Sequence, residues 1–145
     1  MLKSVKKFEK LLTKTAPYMS STVSKGRNAF GEVWEQQFEE TLEKIFGDDS
    51  QRMENAVRGY VRFALDATRL QKRFEKEGEY IPKSYEDAAT TVYHNEDYMR
   101  NLYLPAILLS HYIWPHHYRQ LKYFHENFVS KIIASDDKRF CDIGV

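Results

Sequence analysis

The chain has 145 residues, the length of one domain with a sizeable core. Its 22 basic and 21 acidic residues give a formal net charge of +1, so charge offers no reason to expect binding to nucleic acid or to an anionic membrane. The single cysteine, Cys141, excludes an internal disulfide, and residues 1–7 have no apolar core behind their charges, so we expect a cytoplasmic protein.

Apolar residues at helical spacing predict two helices in the first third of the chain. The first covers residues 2–15 and is ended by Pro17. Residues 18–29 are polar and predict a connector. The second helix ends at Gly47. Its apolar face is formed by Phe30, Trp34, Phe38, Leu42 and Ile45.

A third helix is predicted from about Ser50 to Lys76, with Gly78 as its stop signal. Asp48 or Ser50 is the expected capping residue. One face of the helix carries Met53, Val57, Tyr60, Val61, Ala64 and Thr68. Gly59 lies inside this helix, where glycine costs up to about 1 kcal/mol against alanine, so we expect a close contact with another helix there.

Three more helices are predicted in the second half of the chain. Ser84 can cap a short helix that ends near Tyr93, and Asn95 can cap the next one. Pro115 suits the first turn of a last helix. The apolar face of that helix is formed by Leu121, Phe124, Phe128 and Ile132. Residues 1–134 are therefore predicted to form an all-α bundle of about six helices.

The helix from Tyr98 to Ile113 is the expected centre of the bundle. It carries no charge from Asn101 onward, and its apolar residues face every side. A helix that is apolar all round is buried on most sides, so we expect it to be the most buried helix. It is too short and too polar to span a membrane. Pro105 should bend it, because proline cannot donate the hydrogen bond of a helix interior.

The last residues differ in pattern from those before them. Residues 139–145 are the only strand-like stretch, and they end in Phe140-Cys141-Asp142-Ile143-Gly144-Val145. This run resembles the first strand of class I S-adenosylmethionine-dependent methyltransferases, in which a hydrophobic strand leads into an acidic residue and a glycine-rich loop. Asp142 and Gly144 match the cofactor-binding positions of that motif.

A longer stretch, from Tyr103 to Arg119, is similar to a pattern in a bacterial subgroup of these enzymes. There a Tyr-Leu-x-Gly-Leu-like run is followed by Leu-Trp-x-x-His-Tyr and by two phenylalanines. The chain departs from the pattern at Ala106, which replaces the glycine, and at Tyr123-Phe124, which replaces the phenylalanine pair. The whole resemblance covers residues 98–145.

The resemblance implies a longer enzyme of which this chain is a part. Residues 1–134 would be its helical lid or substrate domain, and residues 135–145 would begin its cofactor-binding domain. The enzyme would use S-adenosylmethionine on a small-molecule substrate, as a methyltransferase or as a cyclase that closes a ring on the cofactor's own aminobutyrate part. The fragment alone would be inactive.

Aromatic and imidazole side chains in the second half of the chain are the candidate substrate-binding residues. A flat apolar ring with a polar tip suits the wall of a small-molecule cavity, and ordinary core packing is the alternative for each. The candidates are Tyr93, Tyr103, Trp114, His117 and Tyr118. No residue is assigned a catalytic role.

Three histidines lie close together in sequence, but their spacing does not suit a metal ion. His111 is five residues from His116 and six from His117, not four as on a metal-binding helix. His116 and His117 are adjacent and point about 100° apart on a helix. We therefore expect no metal site.

The alternative to an enzyme domain is a stand-alone helical module that binds a ligand or a partner protein without catalysis. The strand of residues 139–145 would then add to a partner's sheet. It could also pair with the same strand of a second copy, because a lone strand leaves its backbone groups without partners, and this pairing would give a homo-oligomer.

S-adenosylmethionine is expected not to bind measurably to the 145-residue chain. Only Asp142 and Gly144 match the family's cofactor motif, and the rest of the glycine-rich loop and the later ribose-binding acidic residue are missing. Isothermal titration calorimetry checks this expectation. A dissociation constant below about 100 µM would contradict it.

Overall fold

The structure is a computed structural model that describes residues 2–80, 84–136, 139 and 141. This part of the chain is all-helical, which confirms the predicted class and the number of main helices. The helices are α1 (Lys3–Thr15), α2 (Thr22–Phe46), α3 (Ser50–Glu77), α4 (Tyr85–Ala88 and a π-helical turn Ala89–Tyr93), α5 (Glu96–Tyr98, a π-helical turn Met99–Tyr103, and Leu104–Ile113) and α6 (Pro115–Phe124, a π-helical turn His125–Val129, and Ser130–Ala134).

The predicted C-terminal strand falls mostly on residues that lie outside the described ones. These are Phe140 and residues 142–145, so the strand and its pairing stay predictions. Cys141 is described and exposed. None of the described helices is both long enough and apolar enough to cross a membrane.

The prediction of a connector over residues 18–29 is wrong for most of its length, because α2 begins at Thr22. A single 3₁₀ turn, Pro17–Met19, precedes it. Val23 is buried, and a Cβ added to Gly26 would lie 2.7 Å from the indole of Trp34. The segment thus packs with one small apolar side chain and one bare backbone position, which leaves too few apolar residues for periodicity to reveal a helix.

A glycine separates the two parts of α2. Gly31 has φ 76° and ψ −161°, which is not a helical conformation and is open to glycine at little cost. The chain changes direction there, so the segment before Gly31 can fold back onto Trp34. Trp34 and Phe38, on the second part, are both buried in the core.

Side-chain caps begin three helices. Asp49 accepts a hydrogen bond from a backbone N–H of the first turn of α3, so the prediction of Asp48 or Ser50 as the cap is wrong by one residue. Ser84 caps α4 and Asn95 caps α5, as predicted. Each cap provides an acceptor for an N–H group that has no partner within its own helix.

One hydrophobic core joins α1, α2, α3, α5 and the first turn of α6. Its largest fully buried side chains are Trp34, Tyr60, Phe8, Phe38, Leu12, Leu42, Met53, Leu109, Val5 and Val57. Burial on α3 ends at Ala64, and Thr68, at the end of the predicted apolar face, is exposed. The distal half of α3 therefore projects beyond the core.

The central helix α5 is buried on one side. Five of the ten residues in Leu104–Ile113 are buried, a larger share than in α1, α2 or α3. Leu104 is nevertheless 53% exposed, so the expected burial on most sides is wrong there. Pro105 lies in the first turn of the regular segment, directly after a π-helical turn, where its missing N–H interrupts no regular α-helical ladder.

Gly59 forms the predicted close contact between helices. A Cβ at this position would lie 2.9 Å from the carbonyl oxygen of Asn101 and 3.1 Å from Cα of Leu102. Both distances are shorter than ordinary van der Waals contact, so only glycine lets the backbones of α3 and α5 approach this closely. This approach brings the aromatic residues of the two helices side by side.

The first turn of α1 is held by two buried glutamates of α2. The backbone N–H groups of Ser4 and Val5 donate to Oε1 and Oε2 of Glu39, each over 2.8 Å. The N–H of Leu2 donates to Oε1 of Glu35, also over 2.8 Å. No side chain of α1 itself caps this helix, so Glu39 satisfies the donors that a local cap would otherwise take.

Replacing Glu39 by alanine is expected to lower the free energy of unfolding by about 2–4 kcal/mol, because two backbone donors lose their acceptors in a buried position. Glu40→Ala is the matched control, since Glu40 is the next residue and is exposed, and we expect it to change the free energy by less than about 0.5 kcal/mol. Urea unfolding measures both, and equal losses would contradict the role assigned to Glu39.

Candidate functional site

Partly exposed rings from three helices lie next to one another, some stacked and some edge to face. We call this set the aromatic strip. Its members are Tyr98, Tyr103, Phe63, Trp114, His117 and His111. None of the six is fully buried, unlike the rings of the core.

Successive rings of the aromatic strip are in contact. The ring centroids of Tyr98 and Tyr103 are 6.4 Å apart, and those of Tyr103 and Phe63 are 6.2 Å apart. Phe63 stacks on Trp114 at 5.9 Å with an interplanar angle of 25°, and Trp114 lies 4.8 Å from His117. Such ring pairs hold each other in place, which gives the strip a defined shape.

The break between α5 and α6 places Trp114. This residue has φ −94° and ψ 118°, an extended conformation, and Pro115 starts α6 directly after it. Proline disfavours the helical conformation of the residue before it, which agrees with the break at Trp114. His117 then lies in the first turn of α6, beside the indole.

A shared acceptor fixes the two imidazoles. The hydroxyl of Ser110 donates to the carbonyl oxygen of Ile107 over 2.7 Å, and Nδ1 of His111 donates to the same oxygen over 2.8 Å. Nδ1 of His117 lies 2.9 Å from Oγ of Ser110. The hydroxyl of Ser110 has a single proton, so when that proton is donated to Ile107, the proton of the bond to Ser110 comes from His117.

Burial lowers the pKa of His117, and the neighbouring imidazoles of His116 and His111 lower it further. The three rings are close together: the centroid of His117 is 4.4 Å from that of His116 and 5.8 Å from that of His111. Because its pKa is lowered from the ordinary value of about 6.5, His117 is neutral near pH 7.

A buried tyrosine lies behind the aromatic strip. Tyr60 is fully buried, and its ring centroid is 6.4 Å from that of Trp114. Burial raises the pKa of its hydroxyl, and a contact with the indole N–H of Trp114 lowers the pKa by less, so the hydroxyl stays protonated. That contact lacks the geometry of a regular hydrogen bond, and no other described side chain makes one to the hydroxyl.

A groove of about 540 Å³ lies beside Trp114. One wall comes from α3 and the other from the start of α6, and His117 is not among the lining residues. The wall of α3 is formed by Ala64, Ala67, Thr68, Gln71, Lys72 and Glu75, and the other by Trp114, Pro115 and His116. The small side chains of α3 leave room next to the indole face. Small-molecule sites in proteins typically have volumes of about 300–1,000 Å³, so the groove is large enough for an aromatic ring.

The five predicted substrate-binding residues do not all come together. Tyr103, Trp114 and His117 lie in the aromatic strip. Tyr93 is 64% exposed on α4 and has no ring contact with the strip among the described residues. Tyr118 faces the opposite side of α6, because consecutive residues of a helix point about 100° apart.

Tyr118 belongs to the core and to a different groove. It is 3% exposed, its hydroxyl donates to Oε1 of Gln37 over 2.9 Å, and its ring lies 4.7 Å from that of Phe30. Burial raises the pKa of its hydroxyl. With Tyr112 it lines a groove of about 690 Å³ between α2 and α6.

The predicted cofactor residues, Asp142 and Gly144, lie outside the described residues. Within the described ranges, no group of three or more histidine, cysteine, aspartate or glutamate side chains is arranged to hold a metal ion. The chemistry visible in this part of the chain is therefore that of stacking rings and imidazole nitrogens.

Four residues of the site were not among the predicted substrate-binding residues: Tyr98, Phe63, Ser110 and His111. Ser110 and His117 are seven residues apart, and the interruption at Pro115 changes the helical phase between them. No fixed spacing could therefore relate the two. Phe63 lies beside the apolar face of α3, and only the contact at Gly59 indicates which residues of α5 it meets.

Comparisons with models of protein families, with curated proteins and with solved structures find no match to this chain.

The stability of the protein is expected to fall as the pH falls below about 6.5, the pKa of an unperturbed histidine. The pKa of His117 is lowered in the folded state, so the unfolded chain binds more protons in the range between the two values. Above about pH 6.5 the imidazole is neutral in the folded and the unfolded state, so it makes no pH-dependent contribution to the free energy of unfolding.

His117→Asn tests this expectation, since the asparagine amide can still donate to Ser110 but does not titrate. Urea unfolding at about pH 7.5 and about pH 5.5 gives the loss of stability for each protein. The loss should be smaller in the variant, and an equal loss would mean that other groups determine the pH dependence.

Proposed function

We propose that this chain is the helical substrate domain of an enzyme related to S-adenosylmethionine-dependent methyltransferases, and that its aromatic strip binds a small molecule. The resemblance of residues 98–145 supports the family, and an all-helical fold is compatible with a lid or substrate domain. The observation that carries the binding role is the convergence of Tyr103, Trp114 and His117 from different helical segments onto one partly open surface.

Exposure distinguishes the aromatic strip from the rings of the core. Phe8, Trp34 and Phe38 are at most 1% exposed and fill the core, as aromatic residues usually do. The rings of the strip pack on each other and remain partly open. A ligand that covers them would bury apolar surface that folding leaves in contact with water.

Each member has a role in the proposed site. Trp114 and Tyr103 offer ring faces on which a flat ligand can stack. His117 offers a hydrogen-bond acceptor, and the groove along Ala64 gives the ligand space beside the indole. The complete enzyme's cofactor would supply an activated methyl group or its aminobutyrate part. The described helices would bind the substrate, orient it and exclude water.

A second candidate function is binding of a partner protein, without catalysis. Leu104 is 53% exposed and Ile45 is 37% exposed, and with Leu108 they line a groove of about 800 Å³ between α5 and the start of α3. Polar side chains, among them Arg52 and Arg100, line the same groove, and exposed apolar side chains with a polar border often mark a protein-interaction site. The codons after Val145 in the gene separate the two candidates: Gly-x-Gly within a few residues supports the enzyme, and a stop codon supports the module.

Tryptophan fluorescence tests the binding role. The chain has two tryptophans, and Trp34 is 1% exposed, so a ligand on the surface quenches mainly Trp114. With phenol as the probe and excitation at about 295 nm, where phenol absorbs little, we expect saturable quenching. Removal of a stacking ring in Tyr103→Ala should weaken binding about three- to tenfold.

Tyr93→Ala is the matched control for this experiment, because it deletes the same side chain at an exposed position outside the aromatic strip. It should leave the dissociation constant of phenol unchanged. Quenching that does not saturate, or equal weakening by both substitutions, would contradict the assignment of the aromatic strip as a ligand site.

A further inference from the structure

We infer that Ser110 and the carbonyl of Ile107 lock His111 and His117 in the tautomer with the proton on Nδ1, and that the paired Nε2 acceptors select a ligand with a hydroxyl or amino group on an aromatic ring. This inference names the substrate class of the aromatic strip and rests on the proposed function for its second half. The tautomer follows from the hydrogen bonds alone.

The direction of each hydrogen bond is determined by chemistry. A carbonyl oxygen only accepts, so His111 must donate its Nδ1 proton to Ile107. The same carbonyl oxygen accepts the hydroxyl proton of Ser110. The hydroxyl oxygen of Ser110 is then the acceptor for the Nδ1 proton of His117. Both neutral imidazoles therefore carry an unprotonated Nε2.

The two Nε2 atoms have no partner among the described residues. Ser110 is fully buried, so the Nδ1 edge of His117 faces the interior. Nε2 lies on the far side of the ring, and the ring is only partly buried. The centroids of His111 and His117 are 5.8 Å apart, so one ligand can reach both rings.

The surroundings favour a neutral hydrogen-bond donor as the ligand. Within the described residues, no carboxylate or cation makes an ion pair or hydrogen bond with either imidazole. The nearest cation along the chain, Arg119, lies instead over Phe30, 5.6 Å from the ring centroid. A metal ion is a poor candidate, because no third ligand of the described part completes a site. A hydroxyl or amino group stacked beside Trp114 matches what the surface offers.

Ser110 is a positioning residue in this arrangement. It reaches no ligand itself, because it is buried, and it acts by holding the proton of His117 on Nδ1. Free neutral histidine favours the proton on Nε2, which would turn the acceptor into a donor. Loss of the serine hydroxyl should therefore change what the aromatic strip recognises without removing any ring from it.

Nitrogen-15 NMR of the imidazoles tests the tautomer without any ligand. At about pH 8, where histidine is neutral, we expect protonated Nδ1 in His111 and His117. His116, which makes no hydrogen bond to a described residue, should show the ordinary Nε2–H form. Ser110→Ala should change the shifts of His117 and not those of His111. A proton on Nε2 of His117 in the unmodified chain would overturn the lock.

Phenol and its methyl ether anisole test the ligand class, because they share the ring and differ in the donor. Quenching of Trp114 should show phenol binding about three- to tenfold more tightly than anisole. The ratio should fall in His117→Asn, which keeps the bond to Ser110 but lacks the outer nitrogen and leaves only that of His111 as an acceptor. It should fall in Ser110→Ala as well.

The possible failures have different meanings. If phenol and anisole bind the unmodified chain equally well, the donor requirement is wrong and the binding role stands. If neither probe quenches Trp114 saturably, the proposed function is wrong and the ligand class falls with it, while the NMR result still decides the tautomer.

Discussion

The carboxylate of Glu39 is the contact on which the arrangement of the helices depends. It accepts two backbone hydrogen bonds from the first turn of α1, and the residue before it, Phe38, packs edge-on against Phe8 with ring centroids 5.1 Å apart. Polar and apolar contacts therefore define the same register between α1 and α2. From α2, the indole N–H of Trp34 donates to the carbonyl oxygen of Tyr112 over 3.0 Å and fixes the end of α5, two residues before Trp114.

The sequence predicted most of the fold because local rules and tertiary packing agree over most of the chain. Helical periodicity, the caps at Ser84 and Asn95, and the close approach at Gly59 all correspond to observed features. The prediction of a connector was wrong from Thr22 onward because this segment packs a glycine against an indole, and a glycine adds no apolar side chain to the hydropathy pattern. The prediction that α5 is buried on most sides was wrong at Leu104 for the opposite reason. An apolar side chain favours burial, but burial also requires a neighbouring element that covers it.

The candidate site was predicted only in part, because it forms across a break in the helical phase. Rings on one continuous helix can be assigned to a face from their spacing in the sequence. A new helix begins at Pro115, so spacing does not relate residues on its two sides. Trp114 and His117 therefore meet, while Tyr118, one residue further, enters the core on the other side. The hydrogen bond between Ser110 and His117 depends on the angle between α5 and α6, and no sequence pattern predicts that angle.

Unfavourable features of the structure are concentrated at one end of the bundle. Around Glu39 every buried charge has its donors, whereas near Trp114 the buried hydroxyl of Tyr60 makes no hydrogen bond of regular geometry to a described side chain, and burial opposes protonation of His117. Packing in the core leaves few such groups in most proteins, and where they cluster they usually mark a functional site. These unfavourable polar groups lie beside the aromatic strip, whose rings hold each other in place. A ligand would thus meet a surface whose shape is already set, and would lose little further side-chain entropy in binding to it.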